Sequence, residues 1–459
     1  EMSASLVGSE MCIRDSIGTA AYFYFHCLPN TEINGKDFSY ANRAEIEDYL
    51  KEDTKNYVLE IKGRENVKDQ IQGSEIGVEY EADDAAGKLL REQNFWLWPV
   101  AFDREQTLEI PVSASYDKEK LKEKISTLNV VTGEQTQPAS STPFFDGEKF
   151  VPGEEGKGTA VDVDTLNEVI GDAVSHLTEE LELDDTGCYV RPKYIKDSPE
   201  VQAACDQMNP YLKARITYEM DEPVVVDGTV ISQWVTADEN FAVTFHPELV
   251  QEWLKQFAEK YDTVGKTRTF TTADGRSAQV SGGTYGWEID EESELTALLA
   301  NIENGDTVSR EPAYVEGKTA ISHGASDWGT TYAEVDLTNQ KMWYVRDGQI
   351  LMSTDVVTGL PTRARQTPEG VYTILERMRN KTLRGALKPD GTYEYETPVD
   401  YWMRVTYSGV GFHDATWQRT FGGDVYTYRG SHGCINMSYS DAGQLYDLIQ
   451  VGDPVVIHY

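Results

Sequence analysis

The chain has 459 residues and is strongly acidic, with 78 Asp and Glu residues against 41 Lys and Arg residues and a formal net charge of −37. This charge repels nucleic acid and anionic membrane surfaces, so composition excludes nucleic acid as a partner. A chain of this length with 39% hydrophobic residues has room for about three domains of common size.

The N-terminus contains two short segments of unusual composition. Residues 1–16 (EMSASLVGSEMCIRDS) have no hydrophobic periodicity, and MCIRDS resembles translated sequencing-adaptor read-through, so we interpret this segment as an artefact outside the fold. The apolar run from Ile17 to Leu28 is shorter than the roughly 20 residues of a bilayer-spanning helix. We interpret residues 17–30 as the remnant of a truncated signal anchor that tethers an extracytoplasmic protein. A buried helix or a clipped signal-peptide core is the alternative.

An internal similarity predicts a duplication. The stretch DGEKFVPGEEGKGTAVDVDTL from Asp146 recurs as DGRSAQVSGGTYGWEIDEESEL from Asp274. Each copy predicts an Asp-Gly turn that leads into a strand, then a glycine turn, a short apolar strand, an acidic cap and an amphipathic helix. The sequence therefore predicts two duplicated α+β modules, over residues 31–212 and 213–312.

A further helix precedes each copy of the similarity. The spacing of apolar residues predicts these helices over Asp117–Leu128 in the first module and over Pro247–Tyr261 in the second.

After Pro312 the pattern becomes that of a mostly-β domain. Strand-like runs alternate with turns, and Arg346-Asp347-Gly348-Gln349 predicts a two-residue hairpin turn. Ser438 and Asp441 predict a capping box for a helix over residues 441–450, and PVVIHY predicts a closing strand. The fold class is thus multidomain α+β, with a mostly-β domain over residues 313–459.

Cysteine usage singles out one thiol. Cys12 and Cys27 lie in the N-terminal segments, and we interpret Cys188 and Cys205 as buried thiols, with a disulfide between them as the alternative. Cys434 is then the odd cysteine, which in an exported protein indicates a reactive group or an intermolecular crosslink.

Two histidines are candidate bases for Cys434, which lies in RGSHGCINM. His432 would project from an extended backbone to the same face as Cys434. His413, in GVGFHDATW, reaches Cys434 if the strands that carry the two residues are neighbours. The sequence predicts a nucleophilic cysteine activated by an imidazole.

The neighbours of these residues suggest supporting roles. Asp414 is a candidate to orient His413, although adjacent side chains on a strand point to opposite faces, and a backbone carbonyl is the alternative. Gly433 permits a tight turn, and its N–H and that of Cys434 are candidate donors to an oxyanion. Zinc binding by the two histidines and Cys434 lacks an obvious fourth ligand, so we predict no metal and no cofactor.

The motif resembles a known family. SHGCIN from Ser431, preceded by His413, resembles the signature of the YkuD-type L,D-transpeptidases of bacterial cell walls, as do TPEGVYTI from Thr367, GFHDA from Gly411 and the terminal VVIHY. This resemblance covers the last third of the chain and implies a YkuD-like β-sandwich with a helix. The duplicated modules resemble peptidoglycan-binding domains that precede this catalytic domain in Gram-positive bacteria.

The resemblance also implies a reaction. Cys434 would attack the third residue of a peptidoglycan tetrapeptide stem and release D-alanine, and an acceptor stem would resolve the thioester as a 3→3 crosslink. His413 would be general base and acid, His432 a supporting residue, and Ser431 would order the loop. Carbapenems would act as inhibitors. An L,D-carboxypeptidase or endopeptidase that hydrolyses the same acyl-enzyme, and a non-catalytic wall-binding protein, are the alternatives.

Further residues are candidates to bind the substrate. Many members of that family carry arginine two residues after the cysteine, where this chain has Asn436, so Arg419 is a candidate substitute for carboxylate binding. Three aromatic residues are candidates to line a peptide groove, with core packing as the alternative: Tyr401, Trp402 and Trp417. Residues 380–397 predict either a lid or an ordinary surface hairpin.

Overall fold

A computed structural model describes residues 17–81, 84–110 and 112–459. The chain divides into two compact units, the first formed by residues 1–142 and 152–201 and the second by residues 143–151 and 202–459. The interpretation of residues 1–16 as an artefact concerns residues outside this description. The domain boundaries proposed from the sequence stay a prediction.

The first unit begins with a small layered region. Residues 17–23 are helical, and within the described residues no helix combines the length and apolar composition needed to cross a bilayer. Cys27, Ile33, Ile46 and Leu90 belong to its core. Its strands are Thr31–Ile33, Lys36–Asp37, Glu79–Tyr80, Gln106–Leu108 and Ala114–Ser115, and its helices are Arg43–Lys55, Ala85–Glu92 and Trp98–Ala101.

The first α+β module follows the predicted order of elements. Strand Val58–Lys62 pairs antiparallel with Lys68–Gln72 and parallel with Glu180–Glu182. Its helices are Gly73–Ile76, Lys118–Ser126, Asn129–Thr132 and Val163–Ser175. Asp162 caps the last of these by accepting the Thr165 N–H at 2.8 Å. The acidic cap read from the sequence is therefore confirmed.

The second module repeats this order. Strand Arg215–Tyr218 pairs antiparallel with Val224–Val226 and parallel with Thr307–Arg310. Its helices are Gly228–Ile231, Pro247–Tyr261 and Glu291–Asn304, and the last is capped by Asp290. Its paired strands are Val235–Ala237 with Val243–Phe245, and Arg268–Thr271 with Ser277–Val280. The predicted duplication of α+β modules is confirmed.

Cys188 and Cys205 are both free and buried, as predicted. Cys188 lies in the core of the first module. Cys205 packs in the second unit with Phe150, Met208 and Val235. Phe150 belongs to the hairpin of strands Pro143–Phe145 and Phe150–Pro152, and Met208 ends the helix Pro199–Met208.

The C-terminal residues form a sandwich of two sheets with a helix. The five-stranded sheet has the order Gln349–Asp355, Lys341–Arg346, Tyr332–Asp336, Pro454–His458, Gly370–Thr373, and the four-stranded sheet has the order Glu376–Arg384, Glu396–Arg404, Gly411–Asp414, Ile435–Met437. Met403 and Phe412 of one sheet pack against Val335 and Ile457 of the other. The helices are Val425–Arg429 and Tyr439–Leu448. The predicted sandwich is confirmed.

A segment of the second module completes this sandwich. We call residues 268–285 the docked segment. Its Phe270 and Val280 pack with Trp328, Tyr332 and Val456 of the sandwich. The Ala273 N–H donates to the buried Glu334 carboxylate at 2.9 Å, and Arg276 Nη2 donates to the buried Asp336 at 2.6 Å. The docked segment thus covers one face of the five-stranded sheet.

Candidate active site

Two neighbouring parallel strands bring the predicted nucleophile and base together. In the register of Gly411–Asp414 with Ile435–Met437, His413 lies opposite Asn436, and Cys434 directly precedes the second strand. His413 and Cys434 both line one cavity of about 240 Å³. The adjacency that the sequence argument required is therefore present.

His413 is buried and held in one tautomer. Its Nδ1 lies 2.9 Å from the backbone carbonyl oxygen of Asp414, and because a carbonyl only accepts, the ring proton sits on Nδ1. This leaves Nε2 free to accept a proton. Burial lowers the pKa of His413, so the ring stays neutral, which is the form a general base needs.

The carboxylate of Asp414 does not orient His413. It accepts the backbone N–H groups of Asp400 and Tyr401, each at 2.9 Å. Successive side chains on a strand point to opposite faces, so this carboxylate turns away from the imidazole. The orienting group is the Asp414 carbonyl, and the reading of its side chain as orienter is corrected accordingly.

Cys434 is partly exposed and lines the cavity. Its Sγ lies 3.7 Å from the carbonyl oxygen of Gly409, to which the thiol donates. Burial raises the pKa of the Cys434 thiol to about 11. At neutral pH the site therefore holds a neutral thiol beside a neutral imidazole.

Hydroxyl groups fix the loop that carries the nucleophile. Ser431 Oγ donates to the Cys434 carbonyl at 2.6 Å and accepts the Gly433 N–H at 2.9 Å. Thr367 Oγ1 donates to the Gly433 carbonyl at 2.8 Å and accepts the Gly359 N–H at 2.9 Å. Ser431 thus orders the loop. Because the Gly433 N–H is already bonded to Ser431, its role as an oxyanion donor stays a prediction that requires this bond to be exchanged.

The backbone conformation at position 433 suits only glycine. Its φ is +120°, a conformation that L side chains rarely adopt, and an added Cβ would lie 3.2 Å from Val410 Cγ2. The backbone turn that presents Cys434 therefore depends on the missing side chain.

His432 lines the same cavity but contacts a different element. Its Nε2 lies 3.4 Å from Glu394 Oε1, and its ring centroid lies 5.1 Å from that of Tyr395. Both partners belong to residues 380–397, which form the tip of the hairpin between Glu376–Arg384 and Glu396–Arg404. The predicted hairpin is present at the cavity, and a lid function for it stays a prediction.

The cavity contains two of the other predicted substrate contacts. Trp417 lines it, with its ring centroid 5.9 Å from that of His413. Asn436 also lines it and is buried; its Nδ2 donates to Gln418 Oε1 at 3.0 Å. The Asn436 Oδ1 has no hydrogen-bond partner among the described residues.

Three predicted contacts lie elsewhere. Tyr401 packs against Tyr439 and Tyr446 of the sandwich helix, with ring centroids 5.4 and 5.6 Å away. Trp402 is buried beneath the cavity beside His413, and its Nε1 donates to Glu376 at 3.0 Å. Neither ring lines the cavity, nor does the exposed Arg419, within the part of the chain that the structure describes. Tyr401 and Trp402 pack within the sandwich instead of lining the cavity. Carboxylate binding by Arg419 stays a prediction.

The sequence argument did not single out five of the lining residues: Leu383, Tyr395, Thr397, Arg429 and Gly430. Arg429 is exposed and has no carboxylate partner among the described residues. Arg429 lies two residues before the SHGC stretch, and this position was a signal that could have found it. Leu383, Tyr395 and Thr397 belong to residues 380–397, which the sequence predicted as a lid or a surface hairpin without indicating which of its side chains face the cavity.

Fold and site together define a class of protein: a β-sandwich domain in which a buried imidazole and a cysteine meet on adjacent strands, the arrangement of cysteine acyl-transfer enzymes. Residues 330–457 match the L,D-transpeptidase catalytic domain family, YkuD. Residues 197–309 match a putative peptidoglycan binding domain.

Solved structures of L,D-transpeptidases are also similar to this chain. A crystal structure of a cysteine-to-serine mutant of Enterococcus faecium L,D-transpeptidase is 35% identical and covers 56% of this chain and 99% of that chain, with a TM-score of 0.48. An NMR structure of the E. faecium catalytic domain acylated by ertapenem is 46% identical and covers 28% and 96%, with a TM-score of 0.25. Residues 330–457 belong to the YkuD family of L,D-transpeptidase catalytic domains.

Curated relatives are similar over shorter stretches. The probable L,D-transpeptidase 3 of Mycobacterium tuberculosis is 35% identical over 97 residues, which are 20% of this chain and 34% of that protein. L,D-transpeptidase 1 of the same species is 30% identical over 115 residues, 24% of this chain and 44% of that protein. The chain thus spans less than half the length of these relatives.

Proposed function

We propose that this protein is an L,D-transpeptidase that forms 3→3 crosslinks between peptidoglycan stems through a thioester on Cys434. The observation that carries the proposal is the pairing of Cys434 with His413 in one cavity, with the imidazole held so that Nε2 is its free acceptor. Family membership supports the reaction class. The match of residues 197–309 to a peptidoglycan-binding domain supports the substrate.

Acylation uses His413 twice. Nε2 takes the thiol proton as Sγ bonds to the carbonyl carbon of the third stem residue. The tetrahedral intermediate collapses, the bond to the terminal D-alanine breaks, and His413 returns the proton to the leaving amine. Cys434 then carries the thioester.

Transfer to the acceptor reverses these steps. The amine of a second stem attacks the thioester, His413 removes its proton, and the C–S bond breaks to restore the thiol. A cavity that excludes water favours the amine over hydrolysis.

The lining residues supply contacts for an anionic peptide. Arg429, which lacks a carboxylate partner among the described residues, binds a carboxylate of the stem. The unpaired Asn436 Oδ1 accepts a substrate N–H, because a buried acceptor without a hydrogen bond costs free energy. Trp417 and Tyr395 flank the peptide.

The proposed location is the cell wall of a Gram-positive bacterium. The peptidoglycan-binding match supports a position outside the cytoplasm. A signal anchor at residues 17–30 would provide the tether to the membrane.

Two measurements test the function, one on the wild type and one that compares the wild type with Cys434→Ala. The wild type, incubated with a disaccharide tetrapeptide, should give a crosslinked dimer by mass spectrometry; tripeptide alone would indicate hydrolysis, and no product would remove the catalytic role. A carbapenem should add covalently to the wild type and not to Cys434→Ala. As a matched control, Cys188→Ala removes a buried thiol far along the chain and should keep the adduct. An adduct that persists on Cys434→Ala would exclude Cys434 as the nucleophile.

A further inference from the structure

The docked segment of the second module holds the start of the strand Gly370–Thr373. The Ser281 N–H of the docked segment donates to a carboxylate oxygen of Glu369 at 3.0 Å. Two residues further along each chain segment, Gly283 forms a parallel bridge with Val371. The residue that precedes this strand is therefore held by the second module as well as by the sandwich.

The same stretch of chain holds the loop that carries the nucleophile. Two residues before Glu369, the buried Thr367 donates through Oγ1 to the Gly433 carbonyl oxygen at 2.8 Å. The Thr367 hydroxyl also accepts the Gly359 N–H at 2.9 Å. The carbonyl that Thr367 holds belongs to the peptide unit that joins Gly433 to Cys434.

The connection between Glu369 and Thr367 is short and stiff. Pro368 lies between them. A proline ring fixes its own φ and restricts the preceding residue to an extended backbone. A displacement of Glu369 is therefore passed on to Thr367, because the chain between them has little freedom to absorb it by rotation.

The hydrogen bond from Thr367 sets the direction of the Cys434 N–H. The peptide bond between Gly433 and Cys434 is trans, and the C=O and N–H of a trans peptide unit point in opposite directions. A contact that fixes the Gly433 carbonyl therefore also fixes the Cys434 N–H. This N–H is a candidate oxyanion donor, and such a donor stabilises the transition state only when it is aimed at the developing charge.

We propose that Glu369 is a positioning residue for acylation and that the docked segment acts through it on the nucleophile loop. By accepting the Ser281 N–H, Glu369 keeps Thr367 within reach of the Gly433 carbonyl. This contact aims the Cys434 N–H at the oxyanion. The second module, which includes the match to a putative peptidoglycan binding domain, is then also part of the catalytic unit. The inference rests on the acyl-enzyme mechanism proposed above.

Carbapenem acylation of the full chain tests this role. Glu369→Ala removes the acceptor of the Ser281 N–H. The first-order rate of adduct formation at saturating carbapenem should fall about tenfold, because the oxyanion donor is misaligned in the transition state. The half-saturating carbapenem concentration should stay that of the wild type, because reversible binding does not use this donor. Glu369→Gln keeps an acceptor oxygen and should restore most of the rate.

Arg276→Gln is the matched control for weaker docking alone. Arg276 Nη2 donates to the buried Asp336 at 2.6 Å, so this variant weakens a contact of the docked segment with the strand Tyr332–Asp336. The control should lower the free energy of unfolding in urea and acylate at the wild-type rate at saturation. An equal loss of rate in Arg276→Gln and Glu369→Ala would mean that docking affects the site only through stability, and would overturn the proposal.

A double-mutant cycle determines whether Glu369 acts through Thr367. Thr367→Val removes both hydrogen bonds of the hydroxyl and should slow acylation at least as much as Glu369→Ala. Adding Glu369→Ala to Thr367→Val should change the rate by less than about twofold, because the connection is already broken. Fully additive losses, or a wild-type rate in Glu369→Ala, would overturn the positioning role. A wild type that forms no adduct would instead refute the proposed function.

Discussion

Burial shifts the pKa values of Cys434 and His413 in opposite directions, and both shifts favour the neutral form of the side chain. The pKa of the thiol rises to about 11 and that of the imidazole falls below its ordinary value. An ion pair between Cys434 and His413 is therefore not preformed. In the proposed mechanism, proton transfer to His413 accompanies the attack on the carbonyl carbon.

The pH dependence of acylation follows from this arrangement. Because burial lowers the pKa of His413 from 6.5, the neutral base persists below that pH. The rate of carbapenem acylation should stay nearly constant from about pH 8 down to pH 6.5 and fall only at lower pH. Stopped-flow measurement across this range checks it. A rate that drops severalfold before pH 6.5, with the fold intact by circular dichroism, would contradict the assignment.

The residue-scale chemistry could be predicted where it depends on local geometry. Strand alternation already placed the Asp414 carboxylate away from His413, and the structure supplies the carbonyl that was the stated alternative. Residues 380–397 were predicted as a lid or a surface hairpin, but their individual cavity contacts, Leu383, Tyr395 and Thr397, were not. Tertiary packing, not a local pattern, decides which side chains of the hairpin reach the cavity.

At the scale of elements, the docked segment binds the last strand of the five-stranded sheet by its backbone. The Thr284 and Tyr285 N–H groups donate to the Val371 carbonyl at 2.8 and 3.0 Å, and the Val371 N–H donates to Gly282 at 3.2 Å. Gly283 lies in the middle of this contact with φ +91°, and a Cβ there would meet Val371 backbone atoms at 2.0 Å. The close approach of these two backbones explains why residue 283 is glycine.

Gly283→Ala should therefore destabilise the protein strongly. Gly275→Ala is the matched control, because Gly275 has φ +88° but an added Cβ would have nothing within 4 Å. We expect the control to lower the free energy of unfolding by about 1 kcal/mol from backbone strain, and Gly283→Ala to lower it by about 3 kcal/mol through the added clash. Urea unfolding measures both. Equal effects would mean that the backbone contact contributes nothing.

Elements with strong local signals were predicted closely. Pro247–Tyr261 begins and ends as the apolar spacing indicates, and the hairpin turn has positive φ at Asp347 and Gly348. The final helix was placed two residues late. It begins at Tyr439, directly after the Ser438 cap, and ends at Leu448 because Ile449 turns extended into the core.

At the scale of the whole molecule, duplication was visible in sequence because both modules keep the turn, cap and helix in one order. The sheet of Thr31–Ile33, Lys36–Asp37 and Gln106–Leu108 was not predicted. Strands of two or three residues are too short to show an alternation of apolar and polar side chains. The parallel pair also joins residues that lie far apart in the chain.

The net charge of −37 predicts a salt effect on stability. Repulsion among acidic groups is greater in the compact state, and added salt screens it. The midpoint of thermal unfolding should rise by a few degrees between about 10 mM and about 150 mM NaCl. Choline chloride should give the same rise if screening is the cause. A fall in the midpoint would mean that attractive ion pairs dominate instead.

The protonated state of Cys434 has a consequence for its resistance to oxidation. Peroxide and other oxidants attack the thiolate, not the thiol, and convert it stepwise to sulfenic and then irreversible acids. Because burial raises the pKa of Cys434 to about 11, the thiol presents little of the vulnerable anion at neutral pH. The proton that the sulfur must lose to react as a nucleophile therefore also limits its loss to oxidants.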